Sequence, residues 1–61
     1  MEILNVKEIS TYLKVSVSTI RRLILKNQIP FFRVSNQIFF NKEIINEWIK
    51  KQVELNLERK L

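Results

Sequence analysis

Between Ser16 and Lys26 hydroxyls come first and cations follow: Ser16-Val17-Ser18-Thr19-Ile20-Arg21-Arg22-Leu23-Ile24-Leu25-Lys26. A guanidinium is a rigid fork of donors that matches paired acceptors on a phosphate or on the edge of a guanine. A hydroxyl can donate or accept, and an ammonium adds a compact point charge. Together these groups suit the gripping of an anion, not the making or breaking of bonds. The rest of the composition agrees. There is no His, Cys or Asp, and Gly is absent. The chain therefore has no imidazole base, thiol nucleophile or soft-metal ligand set, and no Gly-rich phosphate loop. Its acids are Glu residues such as Glu43 and Glu47, at the spacing of a solvated helix face. No enzyme, cofactor, metal or small-molecule substrate is expected.

The net charge of the 61 residues is +5, which favours a polyanionic partner. Its placement is more informative. Residues 1–33 carry six basic side chains (Lys7, Lys14, Arg21, Arg22, Lys26, Arg33) against Glu2 and Glu8, whereas residues 34–61 carry five against four acids. The positive field belongs to the first half.

Those cations need elements to hold them. Asn5, with Glu8 three residues on, has the form of a capping box opening a first helix, and Val6, Ile9 and Leu13 mark its buried stripe. Ser16 is a favoured N-cap for a second helix with Val17, Ile20, Leu23 and Ile24 inward. Asn27 suits the residue that ends this helix, and Pro30 prevents its continuation. Phe31–Val34 and Ile38–Phe40 flank Ser35-Asn36-Gln37, the pattern of a small hairpin with Asn at the tight point. Of the four Phe residues, alternation on a two-stranded ribbon sends at least half into the core. Asn41 caps a third helix whose stripe is Ile44, Ile45, Trp48, Ile49 and Val53. Trp48 is read as a core anchor. With no Cys to cross-link so short a chain, aromatic and branched aliphatic packing must carry the core. The expected class is mainly α with one small β-hairpin, in the order helix, helix, hairpin, helix. It forms a single domain over 1–61, with a core of about 3–52 and a C-terminal tail of about 53–61.

Only Lys14 and Val15 separate the first two helices. Ile9, Leu13, Val15, Ile20 and Leu23 then occupy the apolar positions at which a helix-turn-helix buries its helix–helix contact, and Ser10 is the small residue that permits close approach. Lys14 stands where Gly is frequent. A left-handed Lys would cost about 1–2 kcal/mol, so a different turn geometry is expected. In such a unit the solvent face of the second helix, from Ser16, Val17 and Ser18 through Arg21 and Arg22 to Lys26, would enter the major groove. The N–H groups after Ser16 would suit a phosphate. Thr19 lies near this surface, although its hydroxyl can equally bond within the helix. The hairpin becomes a wing, with Arg33, Ser35, Asn36 and Gln37 as its polar contacts.

Taken in order, Leu4-Asn5-Val6-Lys7-Glu8, Leu13-Lys14-Val15-Ser16, Thr19-Ile20-Arg21-Arg22-Leu23-Ile24, Ile29-Pro30 and Glu43-Ile44-Ile45-Asn46-Glu47-Trp48-Ile49 resemble the excisionase-like, MerR-related winged helix-turn-helix family over about residues 3–50. The resemblance implies binding to specific sites on double-stranded DNA. Excisionase members bend DNA so that an integrase favours excision, and other members regulate transcription. By position, Val17, Ser18, Arg21 and Arg22 would face the groove and Ser35–Gln37 would form the wing tip. Where the family often has Gly, this chain has Lys14, Asn27 and Ser35-Asn36. The wing of the family commonly carries Arg or Lys, whereas the turn here is neutral and Phe40 stands at the position near its end that is often basic.

A second reading is a protein-interaction module using Leu25 and the tail residues Leu55, Leu57 and Leu61, which could also serve self-association on DNA. The acidic opening residues and the lack of a long apolar run predict neither a signal peptide nor a membrane partner. A cytoplasmic protein is expected.

Overall fold

The computed structural model describes residues 1–59, with side chains described as far as residue 57. The elements are β1 (Ile3–Asn5), α1 (Val6–Leu13), α2 (Val17–Leu25), β2 (Phe32–Val34), β3 (Gln37–Asn41) and α3 (Lys42–Arg59). The fold is mainly helical with a small antiparallel sheet, a winged helix-turn-helix arrangement.

The local signals for the helix starts act as expected. Asn5 Oδ1 accepts from the Glu8 N–H at 2.8 Å and Glu8 Oε1 accepts from the Asn5 N–H at 2.9 Å, a complete capping box. Ser16 Oγ accepts from the Thr19 N–H at 3.1 Å. Asn41 Oδ1 accepts from the N–H groups of Glu43 and Ile44 at 2.9 and 3.3 Å. At the far end of α2, Asn27 takes φ 56°. The Gln28 N–H then reaches the Leu23 carbonyl at 2.8 Å, and the Asn27 N–H reaches that of Ile24 at 3.0 Å. This paired closure is the Schellman arrangement, with Asn in the place usually given to Gly.

The same closure ends α1, and here the expectation of a different turn fails. Lys14 adopts φ 60° and ψ 41°. The Val15 N–H bonds the Ser10 carbonyl at 3.0 Å and the Lys14 N–H bonds that of Thr11 at 3.2 Å. Two backbone bonds, and the packing of α1 on α2 that they permit, offset the strain of a left-handed Lys.

The sheet holds more than the hairpin. β1 pairs antiparallel with β3, giving the order β1-β3-β2 with β3 in the centre. Leu4 opposes Phe40, and Arg33 opposes Ile38. These four share one face, while Phe32 and Phe39 pair on the other with ring centroids 6.1 Å apart. The hairpin turn also differs from expectation. Val34 pairs with Gln37, leaving Ser35 and Asn36 as the loop, and Ser35, not Asn36, has the positive φ of 56°. A positive φ at the first central residue alone is the pattern of a type II′ turn, which suits the right-handed twist of the strands.

Every element except β2, and the loop before β2, supplies one residue to the core: Leu4, Ile9, Ile20, Ile29, Phe40 and Ile45 are buried, whereas all three residues of β2 are exposed. Leu13, Leu23, Ile24, Phe31, Ile38, Trp48 and Ile49 pack around them. Ser10 is buried as well, its hydroxyl donating to the Lys7 carbonyl at 2.7 Å. Three apolar positions expected inside stay partly open: Val15 at 40%, Ile44 at 51% and Val53 at 54% exposure. Val15 follows the turn and faces outward. Ile44 flanks the single stripe of α3 that meets the sheet, and no further layer covers it. Val53 lies where α3 has outrun the body of the fold, because the helix runs on to Arg59, into the segment expected as a tail. Elsewhere Lys42 Nζ joins Glu2 at 3.3 Å and sits 5.0 Å from the centre of the Tyr12 ring, and the Tyr12 hydroxyl donates to Asn46 Oδ1. These contacts tie α3 to α1 and the N-terminal strand. Among the described residues no helix is long and apolar enough to cross a membrane.

Candidate nucleic-acid interface

Helical spacing places Ser18, Arg21, Arg22 and Leu25 along one stripe of α2, at i, i+3, i+4 and i+7. All four are exposed, and the fully buried Ile20 anchors the opposite side. Lys26 closes the helix, its N–H bonded to the Arg22 carbonyl at 3.0 Å and its side chain exposed. Val17 and Thr19 are half-buried at the edges of the stripe.

The two hydroxyls at the start of the helix are already engaged. Ser16 Oγ and Thr19 Oγ1 are 2.9 Å apart and share a hydrogen bond, in addition to the Ser16 cap. Ser18 is the exposed hydroxyl outside that pair. The N–H groups of Val17 and Ser18, first in the helix, have no preceding helical carbonyl to bond. They project where the positive end of the helix dipole lies.

The hairpin adds to this face from the side. Because Arg33 is in register with Ile38, it lies on the side of the sheet turned toward α2. Its guanidinium carbon is 5.7 Å from the Phe31 ring centre, a stacking contact that restrains the side chain. Arg21, Leu25, Arg33 and Ile38 line one cleft between α2 and the hairpin. Lys7, Arg21, Asn36 and Gln37 line a second, between the start of α1 and the hairpin tip. Arg21 is common to both, whereas Arg22 lines neither cleft. Ser35, Asn36 and Gln37 are exposed at the tip.

Lys7 is the member of this surface that sequence reasoning did not select. The available signal was its place in the first turn of a helix, where a cation opposes the dipole and so contributes nothing to the helix itself. Among the described residues the ion pairs are Lys42–Glu2 and Lys50–Glu47, both away from this surface. Lys7, Arg21, Arg22, Lys26 and Arg33 thus form a field without a described carboxylate in salt-bridge contact. Such a field attracts a polyanion and gains by releasing its counterions. The surface is convex along α2 and flanked by the hairpin, a shape that fits a groove and its bordering backbone.

A family model described as a helix-turn-helix domain matches residues 3–53. Comparison with curated proteins and with solved structures gives no match.

Proposed function

The chain belongs to the helix-turn-helix domain family that its residues 3–53 match, and we propose that it binds specific sites on double-stranded DNA, with α2 in the major groove and the β2–β3 hairpin as a wing. The observation that carries this reading is the stripe Ser18, Arg21, Arg22, exposed and free of described ion pairs, continued across the cleft by Arg33. In this arrangement Arg21 and Arg22 read base edges, Ser18 bonds a base or phosphate, and Lys26 and Arg33 hold backbone phosphates. Ser16, Val17 and Thr19 set the start of the helix against the duplex, and Ser35, Asn36 and Gln37 approach the neighbouring backbone as polar, uncharged contacts.

The resemblance to excisionase-like proteins supports two roles for such a cytoplasmic protein: directing excision of a mobile element beside an integrase, or regulating transcription. Both use the same contacts, and the genes bordering its own separate them. A second reading, contact with a protein partner or with another copy, is favoured by the exposure of Leu55 and Leu57 on the last turns of α3. Leu25, expected in the same surface, is exposed on α2, and Leu61 lies outside the described residues.

The test is a fluorescence-anisotropy titration against duplexes from around its own gene and a scrambled duplex, at several salt concentrations. Selective binding with a log–log salt slope of about −4 to −6, from five or six phosphate contacts, is expected. Binding to neither duplex at low salt overturns the proposal.

A further inference from the structure

Leu25 is 88% exposed. It stands one helical turn beyond Arg21 and Arg22 on the outward stripe of α2, and with Arg21 and Arg33 it lines the cleft facing the hairpin. An exposed Leu on an unremarkable surface needs no explanation. Here its neighbours are cations on both elements. A duplex that engages Arg21 and Arg33 together also approaches Leu25, which lines the same cleft. Covering it removes apolar surface from water, a gain that is realised in full only against an apolar group. On the edges of the bases in the major groove there is one such group, the C5-methyl of thymine.

We infer that Leu25 is a specificity-determining residue, packing on a thymine methyl at one position of the DNA site. The inference rests on the DNA-binding reading above and adds a residue whose chemistry is apolar to a face otherwise read through its charges. Leu25 is not one of the core residues and is almost fully exposed, so its replacement is expected to leave the fold intact, and Ala is the better helix former.

The experiment selects binding sites from a random duplex pool with the unaltered protein, and in parallel with Leu25→Ala and Leu25→Met. The unaltered protein and Leu25→Met are expected to require thymine at one position at which Leu25→Ala is indifferent. Deoxyuridine at that position, which removes only the methyl, should weaken the unaltered protein about fourfold (~0.8 kcal/mol for a buried methyl) and leave Leu25→Ala unchanged. Identical selected sites for all three proteins overturn the inference while leaving DNA binding intact. So does a uniform affinity loss in Leu25→Ala without a change in base preference, since that marks contact with deoxyribose. Recovery of no site by the unaltered protein overturns the DNA-binding reading itself.

Discussion

Arg21 on α2 and Arg33 on β2 line the same cleft, so the helix and the hairpin present one cationic surface. Their expected contributions nevertheless differ. In the proposed binding mode Arg21 and Arg22, on the outward stripe of the helix, would reach base edges, whereas Arg33, on a strand, would lie beside the groove. Arg21→Ala and Arg22→Ala should each cost about 1–3 kcal/mol of binding and relax one position of the site. Arg33→Ala should weaken binding to all duplexes alike and lower the magnitude of the salt slope by about 1. Anisotropy titrations on selected and scrambled duplexes measure both quantities. Equal losses on the two duplexes for Arg21→Ala would make it a phosphate contact.

Lys14 holds φ 60° at the turn between α1 and α2 without a side-chain cap of its own. Replacing it with Gly removes a strain of about 1–2 kcal/mol. The gain is partly cancelled by the extra freedom of Gly in the unfolded chain, about 0.4–1 kcal/mol. Lys14→Gly should therefore raise stability by about 0.5 kcal/mol, or about 2–4 °C in Tm for a domain of this size. Lys14→Ala keeps the strain and should show no such gain. A melt in which both variants behave alike would mean that the turn is not strained in solution.

The helix starts were legible because their signals are local: Asn5 with Glu8, Ser16 and Asn41 each bond an amide two or three residues away. β1 was not, since three residues carry no period and their partners lie at Phe39–Asn41. The hairpin was visible, but its turn was set by the Val34–Gln37 register, which puts the left-handed residue at Ser35. Helical phase alone cannot say which apolar flank is covered, so Ile44 and Val53 were placed inside a core that is too small to reach them. For the interface, the face of α2 follows from its periodicity. The turning of Arg33 toward that helix depends on strand register, and the approach of Lys7 to the hairpin tip depends on tertiary packing.

Phe40 and Ile44 separate what the third dimension adds. Phe40 is wholly buried, and Phe40→Ala should cost about 3–5 kcal/mol. For a chain of 61 residues that is comparable to the whole stability, about 3–9 kcal/mol. Most of the variant should be unfolded at 25 °C, as read by circular dichroism. Ile44→Ala, at a half-exposed site, should stay within about 0.5 kcal/mol in a urea melt. A loss of several kcal/mol there would mean that α3 is covered on that flank in solution.

Ser16 can serve as helix cap, as phosphate neighbour, or as both, and two substitutions divide these roles. Ser16→Ala removes the acceptor for the Thr19 N–H and should cost about 1 kcal/mol of stability. Ser16→Asp keeps an acceptor and places a negative charge at the positive end of α2, so stability should be retained or rise by a few tenths of a kcal/mol. If a DNA phosphate approaches the free N–H groups of Val17 and Ser18, that same carboxylate repels it. DNA affinity should then fall about tenfold or more in Ser16→Asp, with thermal stability unchanged or higher. Ser16→Ala, once measured below its melting range, should bind nearly as the unaltered protein does. Undiminished DNA affinity in Ser16→Asp would show that no phosphate lies at the start of α2 and that Ser16 acts only as a cap.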